Sequence, residues 1–352
     1  MKKTQQISQF VIENSFSVRE AMAALDKAGA KIIYVVNPQG QLVGSLSDGD
    51  IRRFILSGGK IESNVEKAAN KNCYKTTEED LACIEKIIEQ KKINSIPVVN
   101  KDNKIISIFF KEQPDIKLKK DLCNVPVVIQ AGGLGTRLYP YTHILPKPLI
   151  PVGEKPITEL IINSFAKFGC KDFYMIVNHK KNMIKAYYSE IEKDYNIFFI
   201  DEDKPLGTGG GLSLLKSHIK STFYFTNCDV FLDADYSDIY KTHCDKKRIA
   251  TIVSVIKNYQ IPYGVLELDN DGDILKMKEK PNIDYITNTG VYLLDNRVID
   301  ELTPDKAVSM PDILSSHMDK GEKIGTYPLT EECWLDMGQL DELEKAKLKI
   351  GN

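Results

Sequence analysis

The chain has 352 residues, enough for two or three domains, and its 42% hydrophobic and 27% charged residues are those of an ordinary globular protein. A formal net charge of -2 gives neither nucleic acid nor an anionic membrane a reason to bind. Seven scattered cysteines without a C-x-x-C pair suggest neither a zinc site nor a disulfide framework. No apolar run approaches the roughly 20 residues that span a bilayer, and MKKTQQISQFVIENSF lacks a signal-peptide core, so a reducing cytoplasm is expected.

The first stretch is a repeat. KIIYVVN at 31–37 lines up with NSIPVVN at 94–100, and the offset of 63 also sets Val18 on Leu81, Leu25 on Ile88 and Leu42-Val43 on Ile105-Ile106. Each unit reads helix, strand, turn, strand and the start of another helix. Neither can bury its apolar face alone, so the two should pack together. This resembles a tandem pair of CBS domains over residues 1–118. In that family a Ser or Thr, with an Asp three residues on, holds the ribose of an adenine nucleotide. Ser47 and Asp50 match in the first repeat, whereas Phe110 and Gln113 stand there in the second. The same Ser47–Asp50 spacing is also a common helix start, an N-cap followed by a first-turn acid. The polar stretch 111–124, with Pro114, reads as a linker. The resulting division is 1–118, joining residues 119–124, and a second domain 125–352.

The second domain opens with a buried-strand run, Val127-Val128-Ile129, then Gly132-Gly133-Leu134-Gly135-Thr136-Arg137 and Pro146-Lys147-Pro148. Glycines let backbone N–H groups approach an anion. Arg137 adds a fork of donors suited to phosphate, and Lys147 is a point charge on a backbone stiffened by prolines. This reads as a nucleotide-phosphate cradle. It is not a P-loop, since no Gly-Lys-Ser/Thr follows, and the third glycine of the dinucleotide fingerprint would fall on Leu138, which argues against an NAD-dependent oxidoreductase.

A helix from Ile157, a strand 172–177, a helix 180–192 and a strand 197–200 follow. The alternation predicts a parallel sheet covered on both faces, with ligands beyond the strand ends. At one such end lies DEDKPLGTGGG at 201–211, where a flat base could lie on backbone and Thr208 could bond to it. A helix is expected near 212–216. Asp229 follows the strand 222–226 as a candidate magnesium ligand, with Asp336 in Trp334-Leu335-Asp336 as its partner. Pro262 to Leu268 reads as a strand with Asp269–Asp273 as its hairpin turn. Glu279-Lys280-Pro281 makes Lys280 a second candidate phosphate contact.

Taken in order, GGLGTRL, PKP, PVGEKPI, LGTGG, NCD, YGV, EKP, NTGVY and WLDMG resemble the sugar-1-phosphate nucleotidyltransferases over residues 125–350. The fold implied is α/β, a Rossmann-like mixed-sheet nucleotidyltransferase (GT-A-like) domain preceded by a tandem CBS domain pair. With that pair, the chain resembles the bacterial guanylyltransferases of nonulosonic (legionaminic) acid pathways. The resemblance implies that Gly132, Gly133, Gly135, Thr136 and Arg137 hold the nucleoside triphosphate and Lys147 the reacting phosphates. It implies that Gly207 and Thr208 meet the base, and that Asp229 and Asp336 bind Mg2+. Gly264, Glu279, Lys280, Asn288 and Gly290 would meet the sugar and its phosphate. Gln130 and Cys228 depart from the family pattern, and neither removes a charged catalytic group.

The substrates so implied are GTP and glucosamine 1-phosphate. Residues alone support only a nucleoside triphosphate and a hexose 1-phosphate. A guanine site needs an acceptor for N1–H and N2–H, which Glu202 or Gln130 could supply. Mannose or heptose 1-phosphate with GTP, or glucose 1-phosphate with UTP or dTTP, are the alternative substrates. A nucleotide sensor acting through the CBS pair is the rival class. A homo-oligomer is expected, and an adenine nucleotide is the expected ligand of the CBS pair.

Overall fold

In the structure, a computed structural model, residues 2–4, 7–28, 32–77, 84–91, 93–111 and 122–350 are described. Leu81, Gln113 and most of the linker, residues 112–121, lie outside them. The chain divides into two units, Met1–Lys117 and Leu118–Asn352.

In the first unit the 63-residue repeat reaches down to single hydrogen bonds. Asn37 Oδ1 accepts from the N–H groups of Gln39 and Gln41, and Asn100 Oδ1 accepts from those of Asp102 and Lys104. Gly40 and Asn103, also 63 apart, both take the left-handed conformation that closes the turn (φ +78° and +61°). The elements are β1 (Lys2–Thr4), β2 (Val11–Glu13), α1 (Val18–Ala28), β3 (Ile32–Val36), β4 (Leu42–Ser47), α2 (Asp48–Leu56), α3 (Ile84–Lys91), β5 (Ser95–Val99) and β6 (Ile105–Phe110). They form two three-stranded sheets, β2-β3-β4 and β1-β6-β5. Strand β1 therefore completes the sheet of the second repeat, which the polar Lys2-Lys3-Thr4 does not announce. Val18, Ala21 and Leu25 recur on one face of α1 and bury against Ile33 and Val35 of β3. The repeats meet at the Tyr34 hydroxyl, which shares a buried hydrogen bond with Ser95 (2.7 Å).

The second unit contains β7 (Val127–Gln130), α4 (Tyr141–Ile144), β8 (Pro151–Val152), β9 (Lys155–Pro156), α5 (Ile157–Ala166), β10 (Asp172–Val177), α6 (Lys181–Glu190), β11 (Asn196–Asp201) and β12 (Phe223–Asn227). There follow β13 (Val230–Leu232), α7 (Tyr236–Lys246), β14 (Ala250–Gln260), β15 (Val265–Leu268), β16 (Ile274–Lys278), β17 (Asn282–Leu294), α8 (Arg297–Asp300), α9 (Met310–Asp319), β18 (Ile324–Thr330), β19 (Trp334–Asp336) and α10 (Leu340–Ile350). The seven-stranded sheet has the order β11-β10-β7-β12-β17-β14-β18.

The sheet is mixed, as the family resemblance implies, and not wholly parallel as the strand–helix alternation alone suggests. Strands β11, β10, β7 and β12 are parallel, but β17 runs antiparallel to both β12 and β14. The reason is the β15–β16 hairpin: β14 runs out to it and β17 returns from it, so the two pair directly. The helix expected near 212–216 is instead a 3-10 turn at Gly210–Leu215, because three consecutive glycines disfavour an α-helical start. The strand expected from Pro262 begins only at Val265.

Burial on both faces explains the apolar runs of β7 and β12. Val127, Ile129 and Tyr224 point into the layer formed with α5, α6, α7 and α10; Val128, Phe223 and Phe225 point into the opposite layer with α8 and α9. Each such aliphatic or aromatic burial is worth about 2 kcal/mol, so this central pair is the rigid base from which the loops beyond Gln130 and Asn227 project. Among the described residues no helix is long and apolar enough to cross a membrane.

Candidate active site

The loop after β7 is shaped by Gly135. Its φ is +69°, and a Cβ there would lie 2.8 Å from Thr142 Cγ2 and 3.1 Å from Lys147 Cβ. Thr142 Oγ1 fixes the turn by donating to Gly135 O (2.9 Å). Among the described residues none accepts from the N–H of Gly132, Gly133, Leu134 or Gly135, and a Cβ at Gly133 would meet nothing within 4 Å. Thr136 and Arg137 are exposed beside it. N–H groups left available next to a guanidinium suit phosphate oxygens.

Lys147 follows in a 3-10 turn, and its Nζ bonds to Asp229 Oδ2. Both side chains are mostly buried (16% and 15% exposed). Asp229 lies just past β12, and β13 pairs with β19 so that Val230 faces Asp336. The two carboxylates converge on Gly338, where a Cβ would collide with Asp229 Oδ2 and lie 2.9 Å from Asp336 Oδ1. Burial raises the Asp336 pKa; the Gly338 N–H at 3.0 Å works against this and Asp229 adds to it. Burial opposes the charge of Lys147, but Cys228, Asp229 and Asp336 outweigh it and hold its pKa above the usual lysine range. Cys228 itself is pushed up to about 12 by burial, so it is a packed thiol rather than a nucleophile.

A second polar centre lies beside β7. Glu202 is 3% exposed, and its Oε1 accepts from Leu206 N at 3.2 Å. Burial raises its pKa. Gln130 Oε1 is buried and has no hydrogen-bond partner among the described residues. The two oxygens converge: a Cβ at Gly211 would lie 3.2 Å from Glu202 Oε1 and 3.3 Å from Gln130 Oε1. An orphaned buried acceptor beside a buried carboxylate is costly unless something donates to it.

The other glycines of 207–211 answer a packing need. A Cβ at Gly207, Gly209 or Gly210 would strike Val308, Ile313 or Lys306 at 2.5–2.7 Å. Thr208 Oγ1 accepts from Met310 N (3.0 Å) and so braces the start of α9. Asn288 is likewise engaged, accepting from Gly290 N (2.9 Å) and donating to the Tyr292 hydroxyl (2.8 Å). Gly290 has φ +87° and abuts Asn227.

Gly264 and Glu279 meet, a Cβ at Gly264 lying 3.1 Å from Glu279 Oε2, and Lys280 is exposed with φ +43°. Neither Glu279 nor Lys280 shares a hydrogen bond or ion pair with the Lys147 cluster. Ser47 and Asp50 form a reciprocal cap on α2, with Arg53 also bound to Asp50. Sequence reasoning passed over Asn178, which donates to Glu202 O (2.6 Å), and Gly211. Asn178 sits directly after β10, so the strand-end rule marks its position.

The nucleotidyl transferase family model matches residues 126–352. The chain belongs to the nucleotidyl transferase family. A CBS domain model matches residues 8–57. Among curated members similar to this chain is the bifunctional protein GlmU of Methanococcus aeolicus, 31% identical over 63% of the chain and 54% of the relative. The UTP–glucose-1-phosphate uridylyltransferase of Synechocystis is 29% identical (62% and 61%), and the mannose-1-phosphate guanyltransferase of Schizosaccharomyces pombe 31% (60% and 60%). The chain thus spans between half and two thirds of the length of these relatives. Among solved structures similar to this chain is HddC from Yersinia pseudotuberculosis: 26% identity, TM-score 0.51, 64% of this chain and 99% of that one. It has also been solved complexed with GMP-PN, with a TM-score of 0.50 to this chain.

Proposed function

We propose that the chain is a cytoplasmic sugar-1-phosphate nucleotidyltransferase that uses GTP and glucosamine 1-phosphate and releases GDP-glucosamine and pyrophosphate, as a step toward nonulosonic (legionaminic) acid or another surface glycan. The observation that carries the guanine reading is the convergence of Glu202 and Gln130. Guanine presents N1–H and N2–H together on one edge, and these two buried acceptors can receive them. A base without those donors leaves the acceptors unpaired, a discrimination of ~10⁴ where the fit is good. The complex of HddC with GMP-PN supports the same reading. For the sugar, the carboxylate of Glu279 suits an ammonium at C2, and Gly264, Asn288 and Gly290 would complete that end of the site.

In the reaction a phosphate oxygen of the sugar 1-phosphate bonds to the α-phosphorus. The bond from that phosphorus to the bridging oxygen breaks, and pyrophosphate leaves with the electron pair. Both reactants are anions, so the protein's task is positioning and charge compensation. The N–H groups of Gly132, Gly133 and Gly135, with Thr136 and Arg137, hold the triphosphate. Lys147 faces the reacting phosphate, and Lys280 offsets the sugar phosphate. Asp229 and Asp336 supply the oxygen ligands a divalent cation such as Mg2+ prefers; when bound, it neutralises phosphoryl charge. Both lie at one spot, so the residues fit the ion.

The N-terminal unit is proposed to regulate this activity through an adenine nucleotide at Ser47 and Asp50, which must give up their mutual cap to bind it. The deciding measurement is kcat/KM for GTP, ATP, UTP, CTP and dTTP against glucosamine, N-acetylglucosamine, glucose and mannose 1-phosphates. A preference for UTP or dTTP overturns the guanine assignment, and a preference for mannose or glucose 1-phosphate overturns the amino sugar. Silence across the panel favours a nucleotide sensor.

A further inference from the structure

The turn that leads into Lys147 ends in backbone carbonyls that its own chain does not satisfy. In α4 the N–H of Leu145 closes back on Tyr141 O. The next residue, Pro146, has no N–H to give to Thr142 O. Its extended backbone (ψ 147°) then carries Lys147 off the helical path toward His143 O. The proline that stiffens the approach to Lys147 therefore leaves the end of α4 without donors. They come from Lys180, between β10 and α6. Its Nζ donates to Thr142 O (2.9 Å), His143 O (2.7 Å) and Ile144 O (3.0 Å). An ammonium has three N–H groups, and three acceptors meet them. The Lys180 backbone is left-handed, with φ +50°. A residue other than glycine or asparagine is seldom kept there unless its surroundings demand it.

We propose that Lys180 is a positioning residue for the glycine-rich turn and for Lys147. The contacts run in series. Thr142, whose carbonyl Lys180 holds, donates from Oγ1 to Gly135 O (2.9 Å). Gly135 stands so near Lys147 that a Cβ on the first would lie 3.1 Å from the Cβ of the second. Asp229 fixes the tip of the Lys147 side chain, and Lys180 fixes the backbone from which it springs. The end of β10 thus braces the loop that follows β7, its neighbour in the sheet. That the braced turn holds a triphosphate, and Lys147 a reacting phosphate, rests on the functional reading above. The clamp itself does not.

Two variants of the full chain test it. Lys180→Gly removes the ammonium and suits the left-handed backbone, so the fold should keep its stability. Lys180→Arg keeps a cation with several donors. The amides of Leu138, His143, Leu145 and Leu149 are bonded within the loop. Without ligand, their hydrogen exchange should quicken ~10-fold or more in Lys180→Gly and stay near wild type in Lys180→Arg, with β7 and β12 unchanged in both. In transfer assays Lys180→Gly should lower kcat by ~10–100-fold, the effect of moving a reacting group by about 1 Å, and leave KM for the sugar 1-phosphate unchanged. Lys180→Arg should recover most of that loss. Unchanged exchange in Lys180→Gly overturns the clamp, whatever the substrates prove to be. Faster exchange in the loop with undiminished kcat overturns the positioning role. So does faster exchange throughout the second unit, which would make Lys180 a general stabiliser. A wild type with no transferase activity refutes the functional reading instead, and the exchange result still decides the clamp.

Discussion

The ammonium of Lys147 bonds directly to the carboxylate of Asp229, two side chains 82 positions apart. Asp336 converges on the same point from β19, and its raised pKa reports burial and the nearness of the second carboxylate. One lysine thus compensates two acids in the unliganded protein. On the proposed function, Asp229 and Asp336 would hold the cation and Lys147 would be left to face phosphate. The pair ties the loop after β7 to the end of β12 and favours the charged lysine.

Lys147→Met should separate these roles. Removing one preorganised cation should lower kcat by ~10²–10³. The same change frees Asp229 and leaves two uncompensated acids, so Mn2+ binding to the unliganded protein should tighten, as read by electron paramagnetic resonance. Weaker Mn2+ binding in the variant would show that Lys147 organises the carboxylates instead of competing for them.

Asp229→Asn and Asp336→Asn should each remove most turnover with little change of fold, because shape is kept and charge is lost. Asp336→Asn should also leave the protein without added ligand as stable or slightly more so near neutrality, since burial and Asp229 both disfavour the charged form of this acid. Near-normal rates in both variants at limiting Mg2+ would remove the metal assignment.

The fold was legible where its causes are local. The 63-residue offset between Tyr34 and Pro97 could be read because strand periodicity and the Asn-led turns are written in neighbouring residues. The glycine-rich turn after β7 was legible for the same reason. What escaped depends on distant partners. The antiparallel β17 follows from the hairpin before it and from the pairing of Val253 with Val291. Gly209 and Gly210 look from the sequence like a surface for a base, yet their close approach is to a segment about 100 residues away. Ser47 and Asp50 fit both a cap and a ligand pair, and the unliganded protein uses them as a cap.

A chain beginning at Leu122 should fold and keep catalytic residues in place. Leu122 is 1% exposed within the core of the second unit, and its N–H donates to Phe168 O at 3.2 Å. The expected result is a cooperative thermal transition and measurable transfer. A fragment recovered only as aggregate would mean that the first unit is needed for folding.

Acid should destabilise the second unit through His243. The ring is 3% exposed, and its Nδ1 shares a hydrogen bond with Thr251 Oγ1 at 2.9 Å. Burial holds its pKa down to about 4. A depressed histidine contributes stability above its unfolded pKa near 6.5 and loses it as pH falls toward 4. The loss is on the order of 3 kcal/mol across that window. His243→Gln should start less stable at pH 7 and show a flatter pH dependence in urea melts. Parallel curves for the two proteins would assign the acid sensitivity to other groups.

Glu202→Gln tests the base site from two directions. Because burial raises the Glu202 pKa from its ordinary value of 4.5, its contribution to stability is complete below that value and is lost as pH rises through the shifted one. Charging this buried side chain as pH rises is therefore a burden on the fold, one the proposed function explains by the ligand. The amide has the same shape and can still accept from Leu206 N. The unliganded variant should melt higher than wild type at pH 7, with the difference shrinking toward pH 4. Guanine loses a charged acceptor and meets an N–H donor instead, so kcat/KM for GTP should fall by ~10–100-fold, the value of a hydrogen bond to a charged group. The preference for GTP over UTP should fall with it, since a carboxamide can pair with the donor and acceptor edge of uracil. A higher melting temperature with undiminished GTP turnover would leave the burial argument standing and move the guanine contact away from Glu202.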